Sequence, residues 1–493
     1  MNYILGIDIG TSNTKAIGYT ANGVAVVHTN AGYSFSSDRE GYHEIDPRLL
    51  FDAVINVIAG AVKAAAGKNL IAVSFSAAMH GIIAVDEQCN PLTNMITWAD
   101  LRSMEYALKL KDTEEGKNIY RRTGTPVHPM SPLCKLMWMK DNLTEVFHSA
   151  YKFISIKEYV FFHLFGEFII DHSIASSTGL FDIYDIGWNT DALRVAGITA
   201  GRLSDHVGVT YIAKGLKNDY HTKLNIDSQT PFVIGGSDGC LAHLGSNALK
   251  NGDVSLTIGT SGAVRMMMPQ PVYDKEERIF NYLLTDDLYV SGGPTNNGGN
   301  VVQWFNKNMA GKESNSTEEY NWFMGEAAKI EPGSGGLIFL PYIYGERAPI
   351  WDASARGVFF GINGSHTQAH FMRSVIEGVS FALYGILKTL EDSIAPAENI
   401  YVSGGFINST EWVQLLADVL GKKLQVTGAR DASAAGAAII GMKAVGMIKV
   451  ITEAGSFFSI SASYDPDLRK HEVYKGNYAV YSQLYNKLKD LKK

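Results

Sequence analysis

The chain has 493 residues, 46% of them hydrophobic, and a formal net charge of −7; that length suits two domains with separate cores and excludes one small module. The acidic balance, with no Lys/Arg stripe interleaved with aromatics, excludes a protein built to hold nucleic acid and points to small-molecule partners. Cys89, Cys134 and Cys240 fit neither a disulfide framework nor a CxxC metal pair, and with no targeting pattern or membrane-length apolar run a soluble cytoplasmic protein is expected.

In YILGIDIGTSNTKAIGYTANGVAVVHTNAGY, β-rich runs flank a turn of small polar residues, Gly10 to Thr14. Asn22-Gly23 marks a second turn, so a β-meander opens the first domain. Apolar residues at helical spacing follow Asp46-Pro47 and predict a helix over 47–66. IAVSFSAAMHGIIAVD reads as strand, polar turn and strand, and Thr93 to about Lys140 as helices with loop insertions. YKFISIKEYVFFHLFG reads as a helix leading into a small-residue loop, DHSIASSTGLFDI, a kind of segment that borders ligand pockets. Beyond an irregular polar stretch after Gly201, TPFVIGGSDGCLAHLGSNAL predicts an apolar strand, a Gly-rich turn carrying Asp238, and a helix. A boundary is expected at 247–252, giving domains over 1–246 and 247–455 and a tail over 456–493.

VSLTIGTSGAVRMMMP then repeats the opening, with Gly259-Thr260-Ser261-Gly262 standing where Gly10 to Asn13 stood. A turn of Gly, Thr and Ser between strands presents backbone N–H groups and hydroxyls with little steric obstruction, which suits a phosphate. Either copy alone is an ordinary hairpin; the duplication, with Asp8 before the first, favours two turns gripping one triphosphate. Neither GxxxxGK[ST] nor GxGxxG occurs, so a nucleotide must be held another way. The Gly-rich segment SGGPTNNGGNVVQWF, a helix from Thr367 to about Leu390, the strand, Gly-Gly turn and helix of IYVSGGFINSTEWVQLLADVLG, and the small-residue helix ASAAGAAIIGMKAVG follow. The small residues of that last helix imply a close neighbour, and a polar tail rich in Tyr and Lys closes the chain.

Met130-Ser131-Pro132-Leu133-Cys134-Lys135-Leu136-Met137-Trp138 spaces a Pro, then a Lys three residues on, then a Trp three beyond. Gly357-Val358-Phe359-Phe360-Gly361-Ile362, with His370 through Glu377, spaces Gly, aromatic and Gly ahead of a helix ending in an acid. With these two patterns in order, the chain resembles over essentially its whole length the FGGY carbohydrate kinases of the actin-like ATPase superfamily. The segments SFSAAMHGIIAVD, ITWADLRS, RRTGTPVHPMSPLCK, GGSDGCLAHLGSNA and LPYIYGERAPIWD are similar to the gluconate kinases of that family, though pentulose kinases have comparable ones.

The resemblance implies an α/β protein of two ribonuclease H-like (actin-like ATPase) domains with a cleft between them for ATP and substrate. It further implies ATP-dependent phosphorylation of a sugar acid, D-gluconate to 6-phosphogluconate. Asp238 stands where the family keeps its catalytic acid and would accept the proton of the attacking hydroxyl; with Asp8 it would hold Mg²⁺. Thr11, Ser12, Asn13 and Lys15 would face the transferred phosphate from the first domain, and Gly259, Thr260 and Ser261 from the second. Asn297, Gly298, Gln303, Gly404, Gly405 and Asn408 are the adenosine-side candidates. His80, Trp98, Asp100, Arg102 and His128 are the sugar-side candidates, with His128, Arg102 or Arg347 as the cation for a substrate carboxylate. His43-Glu44 lacks a second His at HExxH spacing, so structural zinc is not expected. A homodimer is compatible with the resemblance. Three rivals remain: a pentulose kinase such as a xylulokinase, an actin-superfamily ATPase without a sugar substrate, and a sugar sensor without turnover.

Overall fold

A computed structural model describes residues 1–34, 39–313, 316–428 and 431–491. Two compact units emerge, each assembled from separated segments: 1–251 with 267–291 and 431–458, and 252–266 with 292–430 and 459–493. Of the expected tail, Lys492 and Lys493 lie outside the described residues.

In the first unit, β1 (Asn2–Ile9), β2 (Asn13–Tyr19) and β3 (Ala25–Gly32) form the expected antiparallel meander. The predicted helix follows as Pro47–Ala64, its start fixed by Pro47 and by the Asp46 carboxylate, which accepts from Arg48 N. β4 (Asn69–Ala77) returns parallel to β1, β5 (Ile212–Ala213) is short, and β6 (Phe232–Ser237) runs parallel to β4. The sheet order is β5-β6-β4-β1-β2-β3. β1 is central and β6 is buried along its whole length, which is why both read as apolar runs rather than as alternations.

The small-residue helix Ala432–Ala444 packs against this sheet and against the helix Asp238–Gly245. Its composition follows from distance. A Cβ on Gly436 would lie 2.0 Å from the Leu241 carbonyl oxygen, and one on Gly245 would lie 1.8 Å from that of Ala432. Only the absence of side chains lets the backbones approach this closely.

In a second sheet, β7 (Val254–Ile258) and β8 (Gly262–Met268) form the second hairpin, joined by β9 (Leu288–Thr295), β10 (Ile400–Ser403), β11 (Leu424–Thr427) and β12 (Ile460–Tyr464). Six of this sheet's seven strands run in the order β9-β8-β7-β10-β11-β12. Pairing is antiparallel for β7 with β8, parallel for β7 with β10 and β10 with β11, and antiparallel for β11 with β12. These six strands repeat the order of the six in the first unit, with β7 for β1, β10 for β4 and β11 for β6. The duplicated turn therefore marks a duplicated ribonuclease H-like sheet.

Two segments depart from the sequence reading. DHSIASSTGLFDI, read as a loop, contains the short helix His172–Ser176, capped by the Asp171 carboxylate accepting from Ile174 N. The tail, read as polar, forms the helix Leu468–Leu488. Tyr474 and Tyr481 are buried, and Arg373 donates to the Tyr474 hydroxyl at 2.6 Å. Tyrosine hides an apolar ring behind a polar tip, so a core-facing stripe reads as polar in composition.

Candidate active site

Strand register gathers candidates in the first unit. Lys15 on β2 pairs with Asp8 on β1, Asp8 with Ser76 on β4, and Ser76 with Gly236 on β6. Four adjacent strands thus present these residues in one row near the C-terminal ends of β1, β4 and β6, the edge at which open α/β sheets bind ligands. Asp238 is the first residue of the helix that follows β6, and the Ser237 hydroxyl caps that helix by accepting from Cys240 N. One Asp238 carboxylate oxygen, Oδ1, accepts from Gly239 N at 2.8 Å.

The turn holding Thr11, Ser12 and Asn13 is closed by Gly10 N donating to Asn13 O at 3.0 Å. Tyr33 braces it, donating its hydroxyl to Gly10 O and its N–H to Ser12 O. Lys15 Nζ donates to Asp431 Oδ1 at 2.6 Å. Asp431 immediately precedes the helix Ala432–Ala444 without capping it, so its carboxylate serves the lysine instead.

Three carboxylates and one ammonium therefore share this end of the sheet. Burial, then the charge of Asp238 with a further contribution from Asp431, pushes the Asp8 carboxyl up to about 7; the Ser76 hydroxyl, donating at 2.9 Å, and Lys15 oppose the shift. Among the described residues no group of three or more His, Cys, Asp or Glu could hold a metal by itself. Two mutually repelling carboxylates nevertheless fit a hard divalent cation such as Mg²⁺, which binds through one or two carboxylates and completes its shell with water and phosphate.

The sugar-side candidates lie in the same unit, His80 on one loop, Trp98, Asp100 and Arg102 on a second and His128 on a third. His80 sits at φ 66°, in the left-handed region, and its Nδ1 donates to Ser177 O at 2.8 Å. Trp98 is partly exposed. Lys135 ties the first two loops together: its buried ammonium donates to His80 O at 2.6 Å, Thr97 O at 2.8 Å and Ile96 O at 3.3 Å. Burial pulls this lysine's pKa down, and the charge of Asp100 opposes that.

Asp100 and Arg102 are committed to one another. The Asp100 carboxylate, fully buried, accepts from Arg102 N, Nε and Nη2 and from His43 N. Arg102 also donates to Glu44 at 2.6 Å, and its guanidinium lies 3.9 Å from the centre of the Tyr42 ring. Its charge is matched by two carboxylates, so it acts as a loop brace, which bears directly on its candidacy as the substrate's cation. His128 accepts from Met130 N through Nδ1 at 3.2 Å, which fixes the proton of a neutral ring on Nε2.

The second unit gathers its own set. Gly259 N donates to Ser261 O at 2.8 Å, closing the turn that holds Thr260, and Gly299 N and Asn300 N donate to Gly259 O and Thr260 O. Gly298 lies against the same turn, where a Cβ would be 2.7 Å from Ser261 O. Gly404, at φ 102°, touches the end of β7, and Gly405 begins the turn that ends at Asn408. Gln303 and Asn408 are exposed. Asn297 differs: its amide is fully buried, donating to Gly345 O and Glu346 and accepting from Tyr344 N. It holds the 344–346 segment and presents nothing to a ligand. Arg347, also in this unit, donates to Thr295 O at 3.2 Å.

Asp431 and the tethering role of Lys135 escape sequence reasoning. The Lys135 position is visible in its Pro-Lys-Trp spacing, but nothing local says that its ammonium reaches residues 80, 96 and 97. Asp431 has no sequence signal beyond its place before a small-residue helix.

Residues 3–245 match the N-terminal domain, and residues 254–445 the C-terminal domain, of the FGGY family of carbohydrate kinases. The chain is 42% identical to a gluconokinase from Bacillus subtilis over 91% of this chain and 88% of that protein. It is 29% identical to a xylulose kinase from Staphylococcus epidermidis over 99% and 97% of the two chains. A gluconate kinase structure from Lactobacillus acidophilus superposes with a TM-score of 0.94 at 35% identity, covering 99% of this chain and 98% of that one.

Proposed function

The chain belongs to the FGGY family of carbohydrate kinases, and on that premise we propose that it transfers the γ-phosphoryl group of ATP to the terminal primary hydroxyl of D-gluconate. ATP-dependent sugar phosphorylation follows from the family; the acceptor and the residue roles are this reading's own. The observation that carries it is the row Lys15, Asp8, Ser76 and Gly236, with Asp238 two residues beyond its end.

In this reading Asp238 takes the proton of the sugar hydroxyl as its oxygen bonds to the γ-phosphorus and the bond to the β-phosphate oxygen breaks, releasing ADP. Asp8, with Asp238, holds Mg²⁺, whose chemistry is to neutralise phosphate charge. Lys15, released from Asp431, neutralises a further phosphate oxygen, and the backbone N–H groups and hydroxyls of Thr11 to Asn13 orient the group being transferred. Thr260, Ser261, Gly298, Gly404 and Gly405 hold the nucleotide on the second unit. His80 and Trp98 contact the sugar, on loops that Lys135 and the Asp100–Arg102 pair keep in place.

Gluconate is favoured by the higher identity to a gluconokinase than to a xylulose kinase. One observation favours a pentulose as a second reading: the Arg102 charge is already matched by Asp100 and Glu44. A coupled ADP-release assay with Mg·ATP and gluconate, xylulose, ribulose, glycerol or no sugar separates the two. Selective turnover of gluconate supports the first; selective turnover of a pentulose replaces it.

A further inference from the structure

We propose that the buried ion pair of Lys157 and Asp171 is a positioning element for Asp238, setting the backbone turn that carries the base through Gly236 and Ser237. The proposal rests on the reading of Asp238 given above.

Lys157 and Asp171 are 1% and 0% exposed, with Nζ and Oδ2 2.6 Å apart. Removing two charges from water is costly, and an apolar pair of similar volume would often be no less stable. Lys157 also stands in the first turn of the helix Ile156–Phe165, where the helix dipole disfavours a cation. Fold stability is therefore a poor reason for a lysine here, and what the pair touches supplies a better one.

The Lys157 ammonium donates to Gly236 O at 2.9 Å. Asp171, through its other oxygen, accepts from Ile174 N at 2.9 Å and so caps the helix His172–Ser176. The second residue of that helix, Ser173, accepts from Ser237 N at 3.1 Å and shares a hydrogen bond with the Ser237 hydroxyl at 2.9 Å. Both members of the pair thus reach the two residues immediately before Asp238, one directly and one through a capped turn.

Ordinary strand pairing does not hold this stretch. The β4–β6 ladder shifts register between Val233 and Gly236, and Gly235 lies at φ 67°, with a Cβ there falling 1.8 Å from Phe75 O. Where the ladder lapses, the buried polar contacts take over the placement of the chain. Burial pulls the Lys157 pKa down, and Asp171, Glu158 and Asp238 are the charges opposing it, so the ammonium and the base lie within electrostatic reach.

The test compares Lys157→Met, Ser173→Ala, Asp238→Asn and the double variant Lys157→Met/Asp238→Asn with the parent enzyme. Each is assayed for kcat, for KM of ATP and of whichever sugar is turned over, for substrate binding by calorimetry, and for cooperative melting. Misplacing a reacting group by about 1 Å costs on the order of 100-fold. Lys157→Met should therefore lose roughly 10- to 100-fold in kcat while both dissociation constants stay within about threefold. Ser173→Ala should show a smaller loss of the same kind. The double variant should be little worse than Asp238→Asn alone, because a misplaced base no longer matters once the base is gone. Parent-like kcat in a cooperatively melting Lys157→Met protein, or a change in KM alone, overturns the proposal. If that variant does not fold, parent-like kcat in Ser173→Ala does so. Normal turnover by Asp238→Asn overturns instead the base assignment on which the proposal stands.

Discussion

Replacing Lys135 by Met keeps the volume and removes the donor. Three carbonyl oxygens lose a charged partner, although Ile96 O keeps Ile82 N and Thr97 O keeps Asp100 N, each at 3.2 Å. Charge-assisted bonds contribute about 1.5–3 kcal/mol each, a gross loss of about 6 kcal/mol. Relief of the buried ammonium's desolvation returns several kcal/mol, so the net destabilisation should be about 2–3 kcal/mol. The functional effect is separate and falls on His80, whose left-handed backbone at φ 66° costs about 1–2 kcal/mol and is tethered at its carbonyl by Lys135. Once the tether is lost the loop relaxes, and restoring it on binding raises the sugar KM by roughly tenfold, since about 1.4 kcal/mol is one decade. The ATP KM should move less than about twofold, because the nucleotide contacts proposed above lie elsewhere. Urea denaturation gives the first quantity, and the coupled assay with titration calorimetry gives the second. A folded variant with unchanged sugar affinity, or with equal losses for sugar and ATP, refutes the tether.

Asp238→Asn keeps the side chain's shape and its contact with Gly239 N; it should lose on the order of 100- to 10,000-fold in kcat with both substrates still bound in calorimetry. Near-normal turnover would remove the base role. Gly436→Ala gains about 1 kcal/mol of helix propensity, yet its Cβ would sit 2.0 Å from Leu241 O. Displacing the helix should cost about 2–3 kcal/mol, more than that gain, so the variant melts earlier, and an unchanged or higher Tm contradicts the close approach. The raised Asp8 pKa has its own signature. Moving from 3.8 to about 7 on folding, this carboxyl contributes stability to the metal-free protein that is fully present below about pH 4 and is lost as pH rises through about 7. Mg²⁺ binds the ionised carboxylate, so the rise in Tm on adding it should be larger at pH 8 than at pH 6; the reverse order would take Asp8 out of the metal site.

The fold was legible because it is written in repeated local patterns. The hairpin at Gly10 and its copy at Gly259 open two sheets that share a six-strand order, and the turn carrying Asp238 does follow an apolar strand and begin a helix. These are properties of neighbouring residues: turn chemistry, strand periodicity and a capping serine act over a handful of positions. The tail's helix was missed because buried tyrosines look polar in composition, and the helix at His172 because it is only one turn long.

What each polar side chain does was decided by tertiary structure. Arg102 and Asp100 are close in sequence, yet only the fold adds Glu44 and the Tyr42 ring and spends the guanidinium on bracing. Asn297 sits in a Gly-rich segment that suggests a ligand, and it is buried holding the 344–346 segment. Lys15 meets Asp431, Lys135 meets His80, and Lys157 meets Gly236 across separations of 416, 55 and 79 residues. Such partners depend on sheet register and on where one helix crosses another. A motif states which residues a site requires, whereas a buried charge takes whatever acceptor the packed chain brings within hydrogen-bond reach.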